Sequence, residues 1–286
     1  PLQNFDEKSK RRSLSAMERR MADPIIRDVD IVSQIGAFGP SEKITQTADG
    51  NSISIFVDPK NNGADLSNAV TAAGANATIV LTGTIDVGQH VTLQSGQTIM
   101  GKGDLQVKTP SGRTVTVSAP GATITGDGSS VLARSTMFVM SNNSRLIGMT
   151  IDQTVATNTA FSVGVLVNGA NNVEITGNTI KSEANNNDSA AIRIVGGASN
   201  TQISNNKLTA NMTTGGSAAA YGLLLDTTTN TTFENNTVTV TNAGTNRLVS
   251  YTGTNSTSGS NNIGNVTLCQ GTATTGSVSF TNGTSC

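Results

Sequence analysis

Two cysteines and one histidine narrow the chemistry open to this 286-residue chain. Zinc fingers and multi-histidine metal centres need three or four nitrogen or sulfur ligands, so both are excluded; no cofactor is expected, and oxygen-ligand sites for calcium stay open. His90, in VGQHVTL, has no Cys, Asp or second His beside it and reads as a strand-end residue. Cys269 and Cys286 form an even pair around QGTATTGSVSFTNGTS, and in an oxidising compartment they are expected to close a disulfide worth about 3 kcal/mol through loop-closure entropy. The acids Glu183 and Asp188 bracket the run EANNND, read as a projecting loop that could touch calcium or a glycan. Arg193 and Asp226 are the weak candidates for a catalytic pair, against the plainer reading of a surface arginine and a turn-forming aspartate.

Composition limits the partners. Net charge is -1, so the chain carries no basic field for nucleic acid, and 13% charged and 3% aromatic residues leave the small polar types to build much of the structure. Seven of the 18 Lys and Arg and six of the 19 Asp and Glu fall within residues 1–30, marking a separate regime that ends in the Gly- and Pro-broken stretch IGAFGPSEKITQTADG. The boundary is placed at residue 42, with residues 1–42 as a charged segment and linker and residues 43–286 as one domain. The sequence opens at Pro1 with neither Met nor a signal peptide, which suggests a fragment or processed chain.

What must position these residues is a repeat. NSRLIGMTI begins at Asn143, NVEITGNTI at Asn172, NTQISNNKL at Asn200 and NTTFENNTV at Asn230, at intervals of 29, 28 and 30 residues. The fourth and ninth positions are apolar in every copy, and an alternating strand (MFVM, GVLVN, AIRIV, GLLLD) precedes each one. So short a unit cannot bury its own apolar face; the copies must stack around a shared interior. The pattern predicts an all-β, single-stranded right-handed parallel β-helix of about six or seven coils, rising ~4.8 Å per coil. ADLSNAVTAAG has helical spacing and predicts a short helix that caps the first coil.

Register then assigns roles. Ile175, Ile203 and Phe233 should stack in one interior column, and Asn178, Asn206 and Asn236 should form a structural ladder that starts only at Asn178 because Met149 holds the preceding position. Asn172, Asn200 and Asn230 form a second candidate column. On the alternating strands Leu166, Arg193 and Leu224 should face outward together, leaving one arginine and no acid in that column.

From ADLSNAVTAAG through ATIVLTG, HVTLQSGQTIMGKG and the N-x-x-I-x-x-N-x-I repeats, residues 50–268 resemble the pectate-lyase-like β-helix superfamily. The resemblance implies the fold; its members range over lyases, hydrolases, tailspikes and noncatalytic adhesins. An enzyme of that group needs carboxylates on one exposed face, to hold Ca²⁺ beside an Arg or Lys base or to flank a glycosidic bond. Upstream, RRSLSAMERRMADPIIRDVDIVSQ (residues 11–34) is similar to the closing strands of intimin- and invasin-type inverse autotransporter barrels, which implies an outer-membrane anchor before an exported passenger. Together these readings lead to the expectation of an extracellular or bacterial cell-surface module, adhesin-like or glycan-contacting, with no evident catalytic site. The alternative is a polysaccharide lyase or glycoside hydrolase.

Overall fold

A computed structural model describes residues 43–57, 63–131, 134–155, 161–213, 217–241 and 243–286. The barrel-like segment at 11–34 and the linker before residue 43 lie outside the described residues.

The chain winds into a parallel β-solenoid of about seven turns. Each coil contributes one strand to each of three parallel sheets. The N-x-x-I segments build the first sheet, in which Thr98–Met100, Arg145–Ile147, Glu174–Thr176 and Gln202–Ser204 lie in register. The residues after each Asn turn build the second, through Thr150–Val155, Thr179–Ala184, Lys207–Met212 and Thr237–Thr241. The alternating strands build the third, through Arg134–Met140, Phe161–Asn168 and Ser189–Val195. Repeat-to-repeat pairing is parallel because every coil turns the same way and meets its copy one rung on.

The interior is built from in-register columns. Ile79, Ile99, Leu146, Ile175, Ile203 and Phe233 stack along the first sheet and are all fully buried. At roughly 1.5–3 kcal/mol per buried large side chain, this column alone outweighs any surface contact in the molecule. Gly259 follows Phe233 in the stack; a Cβ there would lie 1.7 Å from the Phe233 carbonyl oxygen, so that rung admits only glycine. Helix α1 (Gly63–Ala73) covers the start of the solenoid, burying Leu66 and Val70. Gly74, with φ +80°, ends the helix, and the buried Gln97 amide donates to the Val70 and Gly74 carbonyls at 2.7 Å each, satisfying its last turn.

One excursion interrupts the winding. Lys102–Lys108 and the first half of Thr114–Gly126 pair antiparallel as a hairpin that leaves the solenoid, which the chain re-enters where Gly121 meets Thr82. The run GRTVTVSA alternates as a solenoid strand does, but belongs mostly to this arm. The chain departs at Gly101, where a Cβ would meet the Met149 sulfur at 2.6 Å.

Candidate functional site

The hairpin walls a polar cleft against the solenoid. Its strand Lys102–Lys108 stands beside the outer face of the first sheet and presents Asp104 and Gln106, while a tight turn brings in Asp49 and Asn51. That turn is fixed locally, since the Asn51 N–H donates to the Thr47 hydroxyl at 3.0 Å and the Ala48 N–H to the Gln106 carbonyl at 2.8 Å. The floor comes from outward residues of successive rungs, with Thr98, Arg145, Glu174 and Gln202 in one column. Arg145 Nε donates to Glu174 Oε2 at 2.7 Å, joining two rungs across the floor. A cleft of about 320 Å³ lies on the hairpin side of this pair and one of about 210 Å³ on the side of Asn172 and Asn200. Both are lined by Arg145 and Glu174, so this ion pair stands between two neighbouring clefts.

The cleft on the hairpin side brings three carboxylates, Asp49, Asp104 and Glu174, together with a guanidinium. From register alone no two carboxylates met at a site, because the strands compared were those of the third sheet. Asp49 and Asp104 come from the first turn and the hairpin, outside the repeat. Among the described residues no group of three or more His, Cys, Asp or Glu converges tightly enough to hold a metal ion. The carboxylates line the cleft without closing on one point, an arrangement suited to paired sugar hydroxyls, which carboxylates accept and guanidinium donates to.

The third sheet places the other candidates. Leu166, Arg193 and Leu224 do share one outward column. Outward does not mean exposed here: Leu166 is fully buried with Val163 and Val195 in a small apolar cluster outside the main core, and Arg193 retains 8% of its surface. Burial, with Arg134 nearby, pulls the Arg193 pKa down, and Asp226 partly opposes this. No ion pair joins Arg193 to Asp226 among the described residues; the Asp226 carboxylate accepts from the Thr227 hydroxyl at 3.2 Å. Glu183 lies on a strand of the second sheet, not in a loop, and accepts from Asn211 Nδ2 at 2.9 Å and Lys181 at 3.3 Å. Asp188 caps the Ala219 N–H at 2.8 Å, so both acids of EANNND have structural partners. His90 sits half-buried just before the strand Val91–Thr92.

Asn178, Asn206 and Asn236 form a continuous buried ladder. Each amide nitrogen donates to the next amide oxygen (3.0, 3.0 and, to Asn262, 3.2 Å) and also to a backbone carbonyl. Each amide oxygen in turn accepts the preceding coil's backbone N–H, starting with that of Met149 at 2.8 Å. Asn262 is an additional rung; its interval of 26 residues from Asn236 falls outside the repeat spacing. A second chain of amides runs over the exposed surface through Asn143, Asn172, Asn200 and Asn230, with 3.0 Å bonds and φ values between +54° and +59°. Cys269 and Cys286 are joined by a disulfide, and Cys286 also exchanges backbone bonds with Val278 at 2.8 and 2.9 Å, fastening the last strand.

Comparison with known proteins adds no identity. No protein-family model, curated protein or solved structure matches the chain.

Proposed function

We propose that this chain is an exported module of the pectate-lyase-like β-helix type, carried at a bacterial cell surface behind an upstream membrane barrel, and that it contacts polysaccharide or cell-surface glycan. The observation that carries this reading is the groove floored by Arg145 and Glu174 and walled by Asp49, Asn51, Asp104 and Gln106. Open and rich in both donors and acceptors, it suits the hydroxyls of a sugar chain. The disulfide supports export, because such bonds persist in oxidising compartments.

Titration calorimetry with neutral and uronate-containing oligosaccharides tests the reading. Wild-type protein is expected to bind at least one class, and Arg145→Ala to raise its dissociation constant about tenfold by removing a charge-assisted donor. A wild-type protein that binds none of them overturns it.

A second reading, glycoside hydrolysis, is favoured by one specific observation: three carboxylates line the same cleft, and two flanking a glycosidic bond suffice for that chemistry. Product release that disappears in both Asp104→Asn and Glu174→Gln would replace binding with turnover.

A further inference from the structure

The chain covers its strand edges at several places. Helix α1 lies over the start of the solenoid. At the other end the chain folds back on its last strand, Thr275–Phe280, where Cys286 exchanges backbone bonds with Val278 and the Phe280 N–H donates to the Thr284 carbonyl at 2.8 Å. On the hairpin arm, Gln46–Thr47 pairs along the outer side of Lys102–Lys108. The second strand of the arm differs: Thr114–Ala119 pairs with Lys102–Lys108 on one side, and among the described residues no strand lies along its other side. A free edge of this kind is a template for another strand.

The hydrogen bonds fix what that edge offers. The Ala48 N–H donates to the Gln106 carbonyl, so Gln106 turns its backbone toward Gln46–Thr47 and away from Thr116, its partner across the hairpin. Opposite residues of an antiparallel pair either exchange both bonds or turn both groups apart. Thr114, Thr116 and Ser118 therefore direct their N–H and C=O outward, while Val115 and Val117 use theirs inside the hairpin. On one face the Gln106 amide donates to the Thr116 hydroxyl, and the Ser118 hydroxyl donates to Asp104. On the other face Val115 and Val117 remain 38% and 43% exposed, with Val117 and the 71% exposed Ile55 lining an apolar cleft of about 190 Å³. The charges of the arm's strands, Lys102, Asp104 and Lys108, all lie on the covered strand; Thr114–Ala119 has none and is merely flanked by Arg113 and Pro120. A guarded edge carries the reverse arrangement, with charge or proline on the outer strand.

We propose that Thr114–Ala119 is a dimerisation edge, pairing antiparallel with the same edge of a second copy about a two-fold axis through Thr116. The edge favours a copy over a foreign strand because it is self-complementary about that residue. Thr114 meets the partner's Ser118 and Thr116 meets the partner's Thr116, so that every outward N–H and C=O is bonded, and Val115 meets the partner's Val117 on the apolar face. The two Arg113 side chains fall at opposite ends of the paired edge, so no like charges are opposed. One strand edge is a small interface, and the dimer is correspondingly weak and reversible. Arg145 and Glu174 take no part in it, so it stands or falls independently of the glycan reading.

Sedimentation equilibrium of the full chain, from micromolar to millimolar concentration, tests this. Wild type is expected to dimerise reversibly. Thr116→Lys and Thr116→Glu should each stay monomeric, since like charges then meet at the axis, and an equimolar mixture of the two should dimerise again, because a two-fold axis at residue 116 sets lysine against glutamate. Thr116→Pro removes an outward N–H and no hairpin bond, and should weaken association about tenfold. Ile263→Ser, which removes an exposed apolar side chain at a distant position, is the control and should dimerise as wild type does. Melting curves matching wild type establish that each variant is folded; should Thr116→Pro lose the arm, the lysine and glutamate variants decide. A monomeric wild type overturns the proposal, as does a Thr116→Lys variant that dimerises like wild type or a mixture that stays monomeric. A monomeric wild type that binds a synthetic peptide of alternating Thr and Val would also overturn it, and would assign the edge to a foreign strand.

Discussion

Two asparagine ladders run along the same solenoid, built from the same residue at nearly the same spacing, and they differ in almost everything that determines stability. In the interior ladder each amide is fully used. Asn206 donates to Ile175 O and Asn236 Oδ1 and accepts from both the backbone and the side chain of Asn178, at 2% exposure with no water to replace any of these partners. In the exterior ladder Asn200 makes one amide bond on each side, and solvent stands ready to take over either one. The exterior residues are asparagines for a backbone reason, since their positive φ is one that few residues except Gly and Asn accept easily. One ladder is chosen by its side chain and the other by its main chain.

That contrast can be broken by substitution. Asn206→Ala should have the largest effect, roughly 2–4 kcal/mol, because it orphans the buried backbone N–H of Asn178, takes one of the two acceptors from the Asn178 amide nitrogen, and removes one donor each from the Asn236 Oδ1 and the Ile175 carbonyl. Urea unfolding checks it, and a loss no greater than that at the exterior position would abolish the distinction. Asn200→Gly should cost a few tenths of a kcal/mol at most, and Asn200→Ala about 1 kcal/mol more than glycine, since alanine is strained at φ +54°. If alanine and glycine behave alike at this position, the backbone explanation fails.

A similarly small effect is expected on the second sheet, where Lys181 reaches Asp152 at 3.2 Å and Glu183 at 3.3 Å. Its pKa is affected most by burial, which lowers it, but the two carboxylates together outweigh this and leave it raised. A raised amine pKa contributes stability that is fully present below the unfolded value of 10.5 and is lost as pH climbs through the higher folded value. The pairs are half exposed, so Lys181→Met should cost less than about 0.5 kcal/mol at neutral pH, and less again in high salt. Denaturation at pH 7 and above pH 11 should show the difference shrinking; a constant difference would mean that packing of the lysine stem, not its charge, is responsible.

What the sequence disclosed follows from what repeats. Ile175, Ile203 and Phe233 could be aligned because a period of 28–30 residues returns each to the same interior column, and the same alignment found Asn178, Asn206 and Asn236. Asn262 escaped because the last coil is shorter, and the hairpin because Lys102–Lys108 and Thr114–Gly126 alternate apolar and polar residues as solenoid strands do. The groove was illegible for a deeper reason. Asp49, Asp104, Arg145 and Glu174 come from a turn, an arm and two coils, share no spacing, and meet only because the arm folds back beside the first sheet. Alternation correctly gave Arg193 an outward direction, but period two says nothing about what lies over a face, so its burial had to be seen.

The interior ladder also has a consequence for how such a molecule can change in size. Each rung is specified wholly by the rung before and the rung after: Asn206 recognises an amide on either side, not a position in the chain. Removing the 28 residues from Asn172 to Ser199 would bring Asn143 next to Asn200, Met149 next to Asn206 and Leu146 next to Ile203, each a pairing of kinds that already occurs. The solenoid can therefore be lengthened or shortened in whole coils of ~4.8 Å with its two ends left intact. A deletion of half that length would throw the two coils flanking the cut out of phase with each other, so that the amide ladder breaks at that one junction.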